Sequence, residues 1–143
     1  VLGAARQEMR DAAGAREAQA LRLEPGSPVH DYHGLSLPDG QPMALFESDF
    51  PAALVPQILP ALEEESSVTA ALKRCGISDY TRAETRITAK LANATQALHL
   101  RVSEGAPLLR TTSLNLTPEG TPIEFGRTWF AGDRVTLTVG GTG

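Results

Sequence analysis

The chain of 143 residues has one cysteine, Cys75, so no disulfide can close within it. That fits a reducing compartment, and a cytoplasmic location is expected. The thiol reads as a buried, unreactive side chain. Aromatic residues are scarce at 5%, with a single tryptophan. No apolar run approaches the ~20 residues of a membrane-spanning helix, so no membrane partner is expected. Positive charge is not in excess: 13 Lys and Arg stand against 17 Asp and Glu, giving a net −4. The basic residues are scattered, so this domain carries no electrostatic footprint for nucleic acid. Signatures of catalysis are missing too: there is no GxSxG, Walker loop, HExxH or CxxC. His30, His33 and His99 lack metal-ligand spacing with a carboxylate or cysteine, and no metal or cofactor is expected. No signal peptide is evident from Val1 onward, and the chain reads as a fragment of a longer protein.

What the sequence does have is turn chemistry and a repeat. Thirteen glycines and ten prolines imply many turns between short strands. The length suits one domain with a proper core. Residues 26–50 read GSPVHDYHGLSLPDGQPMALFESDF, and residues 105–130 read GAPLLRTTSLNLTPEGTPIEFGRTWF. With one extra residue in the second turn, Gly26 meets Gly105, Pro28 meets Pro107, and Leu35 and Leu37 meet Leu114 and Leu116. Beyond the turn, Gly40 meets Gly120, Pro42 meets Pro122 and Phe50 meets Phe130. The lead-ins align as Ala20-Leu21-Arg22-Leu23 on Ala97-Leu98-His99-Leu100. Two such halves can pack as one pseudo-symmetric domain with a ligand crevice between them.

Each copy reads as strand, short helix and hairpin. Copy one spans about 1–50, copy two about 80–139, and residues 51–79 connect them. In copy two the strand is Thr81 to Ala89, and Asn93 caps a helix through Leu98. The hairpin then runs Leu108 to Leu116, Pro118-Glu119-Gly120, and Pro122 to Phe130. In copy one the helix lies near Ala15 to Leu21. Its hairpin runs Val29 to Leu37, Pro38-Asp39-Gly40, and Met43 to Ser48. Propensity makes Ala4 to Ala13 helical, whereas the repeat makes its first part a strand over about residues 1–9; the repeat is preferred. In the connection, Pro51 to Leu54 and Pro56 to Leu59 read as a proline-interrupted helical turn. Ser66-Ser67 caps a helix from Val68 to Cys75, stopped by Gly76, with Val68, Ala71, Leu72 and Cys75 on one face. A last strand is expected over Arg134 to Val139, and disorder over Gly140 to Gly143. The fold class is α+β, a mostly antiparallel sheet with flanking helices, internally duplicated.

Three features carry possible chemistry. Ser67 at a helix start is explained by capping, and the same geometry offers backbone N–H groups to an anion. Glu124 either faces water or, turned into the crevice, binds an amine or hydroxyls. Arg82, Glu84 and Arg86, spaced by two, are expected on one strand face. There they form either a solvated charge ladder or an anion clamp using Arg86.

The segments LRLEPGSPV, LPDGQPM, FPAAL, SSVTAALKRCGI, ETRITAKLANATQALHL and GAPLLRTTSLNLTPEGTPIEFGRTWFAGDRV resemble, in this order, the UTRA domain. This is the effector-binding domain of HutC-type regulators of the GntR family, and phosphonate-utilisation regulators are a close variety. The most specific pieces are DG-x-P with FP eight residues after that proline, and EG-x-PIE with F-x-GDR. The resemblance covers nearly the whole chain. It implies a chorismate lyase-like fold, a homodimer, and an N-terminal winged helix-turn-helix, absent from this chain, through which alone DNA is bound. A small effector would alter the dimer's geometry and so its DNA affinity.

Relatives that bind phosphorylated sugars place Arg-x-Arg before the DG turn, where this chain has Gly34 and Ser36. Their carboxylate after the DG-x-P proline corresponds to Phe46. The matching arginine of the second copy corresponds to Ser113, and an aromatic hydroxyl to Phe130. Ser67 and Glu124 keep the pattern. The resemblance thus implies a less charged crevice lined by His30, Tyr32, Ser36, Ser113 and Asn115, with Arg86 as the nearby cation. The expected effector is an organic acid, amino acid derivative, phosphonate or sugar derivative rather than a sugar phosphate. A lyase on the same scaffold is the enzymatic alternative, and a dimerisation module with a decayed site is a third.

Overall fold

Alternating apolar residues and Pro/Gly turns produce two strand–helix–strand–strand units, and the computed structural model describes residues 5–10, 14–65 and 67–140 of the chain. The first unit comprises β1 (Ala5–Arg10), α1 (Ala15–Leu21), β2 (Val29–Ser36) and β3 (Ala44–Pro51). Two connecting helices follow, α2 (Ile58–Glu64) and α3 (Val68–Arg74). The second unit comprises β4 (Thr81–Leu91), α4 (Ala94–Leu100), β5 (Pro107–Leu116) and β6 (Pro122–Ala131). All strand pairs are antiparallel, and the sheet order is β1-β2-β3-β6-β5-β4. The arrangement reads the same from either edge.

The hairpin turns use the glycines the sequence supplies. Gly40 and Gly120 sit at φ of 79° and 87°, a region that costs a glycine nothing. Asn93 makes a capping box: its side chain accepts from Gln96 N at 2.8 Å, and Gln96 Oε1 accepts from Asn93 N at 3.0 Å. Helices α1 and α4 end alike, in Arg22 and Arg101, both at φ 55°. The structural match therefore sets Leu21 on Leu100 and Ala18 on Ala97, all buried. This corrects the lead-in alignment, which had placed Leu21 on Leu98. Leu98 is exposed and cannot share the role of buried Leu21.

Three apolar clusters hold the layers together. Tyr32 and Phe50 pack under Val55, Ile58, Leu62, Ala71 and Leu72 from the α2–α3 connection. On the opposite face, Ala18 and Leu21 of α1 pack on Val29 and Phe125. There too Ala97 and Leu100 of α4 pack on Leu108, beside Leu35, Leu45 and Trp129. Val68 and Cys75 join the first cluster with Ala71 and Leu72, as their helical spacing predicts. Burial raises the pKa of the Cys75 thiol, which favours its uncharged form.

The central pair shows how the halves meet. The alignment that sets Gly40 on Gly120 also sets Glu47 on Arg127, Phe46 on Gly126 and Ser48 on Thr128. Across β3 and β6, Glu47 faces Arg127, Phe46 faces Thr128 and Ser48 faces Gly126. Only Glu47 and Arg127 face their own counterparts, so the pseudo-two-fold axis passes between them.

The strand preferred at the start of the chain is found in its described part, and two later expectations fail locally. The described part of the first segment is strand, residues 5–10; residues 1–4 and 11–13 lie outside the described residues, as do Ser66 and 141–143. Residues 52–54 and 56–57 are turns, and a full helix, α2, follows where the expected turn was to end at Leu59; it tolerates Pro60 because that residue sits in its first turn, where backbone N–H groups have no intrahelical acceptor. The segment Arg134 to Val139 is not a strand. The chain leaves β6 in mid-sheet, where β3 and β5 already occupy both sides. Arg134 instead ties this segment down by donating to the carbonyls of Pro42, Leu100 and Arg101.

Candidate functional site

Side chains alternate across a strand, so pairing register decides which residues share a face. His30, Tyr32, Gly34 and Ser36 of β2 pair with Phe50, Ser48, Phe46 and Ala44 of β3. Ser48 and Phe46 pair in turn with Gly126 and Thr128 of β6. Ser113, Asn115 and Leu109 of β5 pair with Gly126, Glu124 and Phe130. One face therefore gathers His30, Tyr32, Gly34, Ser36, Phe46, Ser113, Asn115, Glu124 and Phe130, together with Ser48.

Glu124 is the centre of a polar network on this face and is only 8% exposed. Ser48 Oγ donates to its Oε2 at 2.8 Å, and Asn115 Nδ2 donates to its Oε1 at 2.9 Å. Arg82 Nε donates to Asn115 Oδ1 at 3.3 Å, orienting that amide. Among the described residues no cation forms an ion pair with Glu124, so neutral donors alone support its carboxylate. Gly126 leaves a notch beside it. A Cβ there would lie 3.2 Å from Ser113 Oγ, 3.7 Å from Ser48 Oγ and 3.9 Å from Glu124 Oε2.

The aromatic and histidine members line the first-copy side. The Tyr32 and Phe46 rings are tilted at 44° with centroids 5.6 Å apart. His30 is buried, which lowers its pKa and favours the neutral ring, while a backbone hydrogen bond to Pro56 acts weakly the other way. Its Nδ1 is buried with no hydrogen-bond partner. Ser67 begins α3, the helix over Tyr32 and Phe50, and its Oγ accepts from Ala70 N at 3.1 Å as a cap.

Two sequence expectations are corrected here. Arg82, Glu84 and Arg86 do not share a face. A bulge between Arg82 and Glu84 shifts the register, so Arg82 reaches Asn115 while Glu84 and Arg86 lie on the opposite side. Arg86 is thus not a neighbour of the Glu124 network. Conversely, Ser48 was missed. Its register opposite Gly126 in the central pair was the signal that could have found it.

The opposite face carries a different cluster. Arg127 reaches Glu47 at 2.9 Å, Asp49 at 2.7 Å and Glu17 at 3.8 Å, and its guanidinium lies 5.3 Å from the Phe125 ring centroid. Asp49 is fully buried and Asp31 nearly so. The Asp31 carboxyl is pushed up to about 9, first by burial and then by Asp49 and Glu47 beside it. Asp31, His33 and Glu47 bring potential metal-ligating atoms within 4.8 Å of one another. Within the protein, His33 Nδ1 meets Asp31 Oδ1 at 2.6 Å and Glu47 pairs with Arg127.

The fold is thus a six-stranded antiparallel sheet with helices on both faces, carrying the Glu124 network on one of them. Residues 8–136 match the UTRA domain family, and the chain belongs to it. It is 37% identical over 122 residues to an uncharacterised HTH-type transcriptional regulator of Rhizobium meliloti (strain 1021), covering 85% of this chain and 50% of that protein. It is 26% identical over 121 residues to the HTH-type transcriptional repressor PhnF of Mycolicibacterium smegmatis, covering 85% and 49%. The chain thus spans about half the length of these curated relatives. The crystal structure of the effector domain of PhnF from Mycobacterium smegmatis superposes with a TM-score of 0.81 at 22% identity, covering all of this chain and 86% of that one. A GntR-family transcriptional regulator from Enterococcus faecalis V583 gives 0.80 at 20% identity, covering 96% and 100%. These homologues are transcription regulators rather than enzymes. No helix among the described residues is long and apolar enough to cross a membrane.

Proposed function

We propose that the Glu124 face binds a small effector that presents hydroxyl or amine donors. The observation that carries this reading is the buried Glu124 carboxylate, held by Ser48 and Asn115 beside Gly126 without a cationic partner among the described residues. The strand positions Gly34, Ser36 and Ser113 hold no arginine, and Arg82 at the edge of this face is engaged by Asn115, which weighs against a sugar phosphate. Organic acids, amino acid derivatives, phosphonates and sugar derivatives are the classes to screen. Ser67, His30, Tyr32, Phe46, Asn115 and Phe130 complete the proposed lining. In the full-length regulator, effector binding alters a homodimer and so the DNA affinity of a winged helix-turn-helix outside this chain, in the cytoplasm. Strand β4, exposed along all eleven residues, supports a self-associating edge. The scaffold is proposed to be chorismate lyase-like, with units at about 1–50 and 80–139 joined by 51–79.

A thermal-shift screen of those classes tests the reading. Ligand at a hundred times its Kd stabilises by about 2.7 kcal/mol, which a melting curve resolves. A hit on the wild type that is lost in Glu124→Gln supports the site. A hit unaffected by Glu124→Gln places the effector elsewhere.

A further inference from the structure

On the face opposite Glu124, a cavity of about 450 Å³ opens between α1, β4 and β5. Its charged lining is Arg16 from α1, Glu84 and Arg86 from β4, and Arg110 from β5; Gln19 and Thr112 add neutral hydrogen-bonding groups. Glu84 is engaged by Arg86 at 3.4 Å. Among the described residues, neither Arg16 nor Arg110 has an ion pair, and Arg110 Nε is buried without a hydrogen-bond partner. Arg110 is half-buried, and a guanidinium partly withdrawn from water favours an anion beside it.

The repeat sharpens the contrast. In the alignment of the two copies, Arg110 is the counterpart of Asp31, and Arg127 is the counterpart of Glu47. Arg127 is matched by Glu47, Asp49 and Glu17. Arg110 sits on the same face, where it and two further arginines surround the cavity with one carboxylate. The local charge is positive in a domain that is negative overall.

We propose that this cavity is a second ligand site, for a tetrahedral phosphoryl oxyanion, either free or carried on a small molecule. Arg110 grips two oxygens from below, a geometry that suits its planar fork, and Arg16 and Arg86 close from the rim. The site is independent of the effector reading above, because the sheet separates it from Glu124.

Calorimetric titration at fixed ionic strength tests it, with inorganic phosphate in one arm and glycerol phosphate in the other. One-to-one binding of either is expected. Tighter binding of phosphate marks the free ion as the ligand, and tighter binding of glycerol phosphate marks a phosphorylated metabolite. Arg110→Gln should weaken binding about ten-fold. Arg16→Gln and Arg86→Gln, at exposed positions that leave the fold intact, should each weaken it about two- to five-fold. Glu124→Gln should leave it unchanged. Absence of binding in both arms overturns the proposal, as does binding that survives the Arg16 and Arg86 substitutions undiminished or falls with Glu124→Gln.

Discussion

Ser48 and Glu124 belong to different halves of the chain, and their side chains meet at 2.8 Å across the two central strands. The bond ties the proposed effector crevice to the junction of the halves. Any ligand that competes for the Glu124 carboxylate therefore acts on the contact between the two repeats.

Truncating Glu124 should expose that dependence. Glu124→Ala removes the acceptor for Ser48 and for buried Asn115, and is expected to cost about 1–3 kcal/mol. Urea unfolding measures the loss. Glu124→Gln keeps the size and one acceptor oxygen, so its cost should be smaller.

Gly126→Ala separates binding from stability. The added Cβ meets Ser113 Oγ at 3.2 Å, so a hydroxyl must shift by a few tenths of an ångström, and the backbone is unstrained. Stability should change by no more than about 1 kcal/mol. Effector binding should be lost because the notch is filled. A melting curve with and without a screened ligand reads both.

Arg127→Met addresses the opposite face. Arg127 counters Glu47 and Asp49, and Asp49 is fully buried. Removing the cation from such a cluster costs about 3–5 kcal/mol, to be read by urea unfolding at pH 7. Adding Asp49→Asn should recover part of the loss.

Asp31 makes stability depend on pH. Its folded carboxyl titrates at about 9, against 3.8 ordinarily, because burial disfavours the anion. Between those values the folded chain holds a proton that the unfolded chain has released. The stabilisation is complete at and below about pH 3.8 and is lost as pH rises towards 9. Thermal melts from pH 5 to pH 9 should show the wild type losing stability relative to Asp31→Asn as pH increases.

The hairpins and helices were legible because their signals are local. Pro38-Asp39-Gly40, Pro118-Glu119-Gly120 and the Asn93 cap each act within a few residues. The conflict over residues 5–10 was resolved by the repeat rather than by propensity, since a paired backbone overrides intrinsic helix preference. What failed was non-local. A strand at Arg134 to Val139 required knowing that β6 is already flanked on both sides. The face of Arg86 turned on a one-residue bulge, which shifts the alternation that spacing assumes. The strand residues Gly34, Ser36, Ser113, Asn115 and Glu124 fall on one face because strand periodicity is rigid. Ser48 escaped notice because its meaning comes only from pairing across the axis.

That axis has a consequence for how the domain can exist at all. A residue on a two-fold axis looks at its own copy, so two identical half-length chains would set glutamate on glutamate or arginine on arginine. Here Glu47 faces Arg127, an arrangement that two identical half-chains cannot hold. Joining the repeats in tandem has let them specialise, with acids concentrated in the first and guanidinium groups in the second. Neither half could now be replaced by a duplicate of the other without setting like charges face to face at the middle of the sheet.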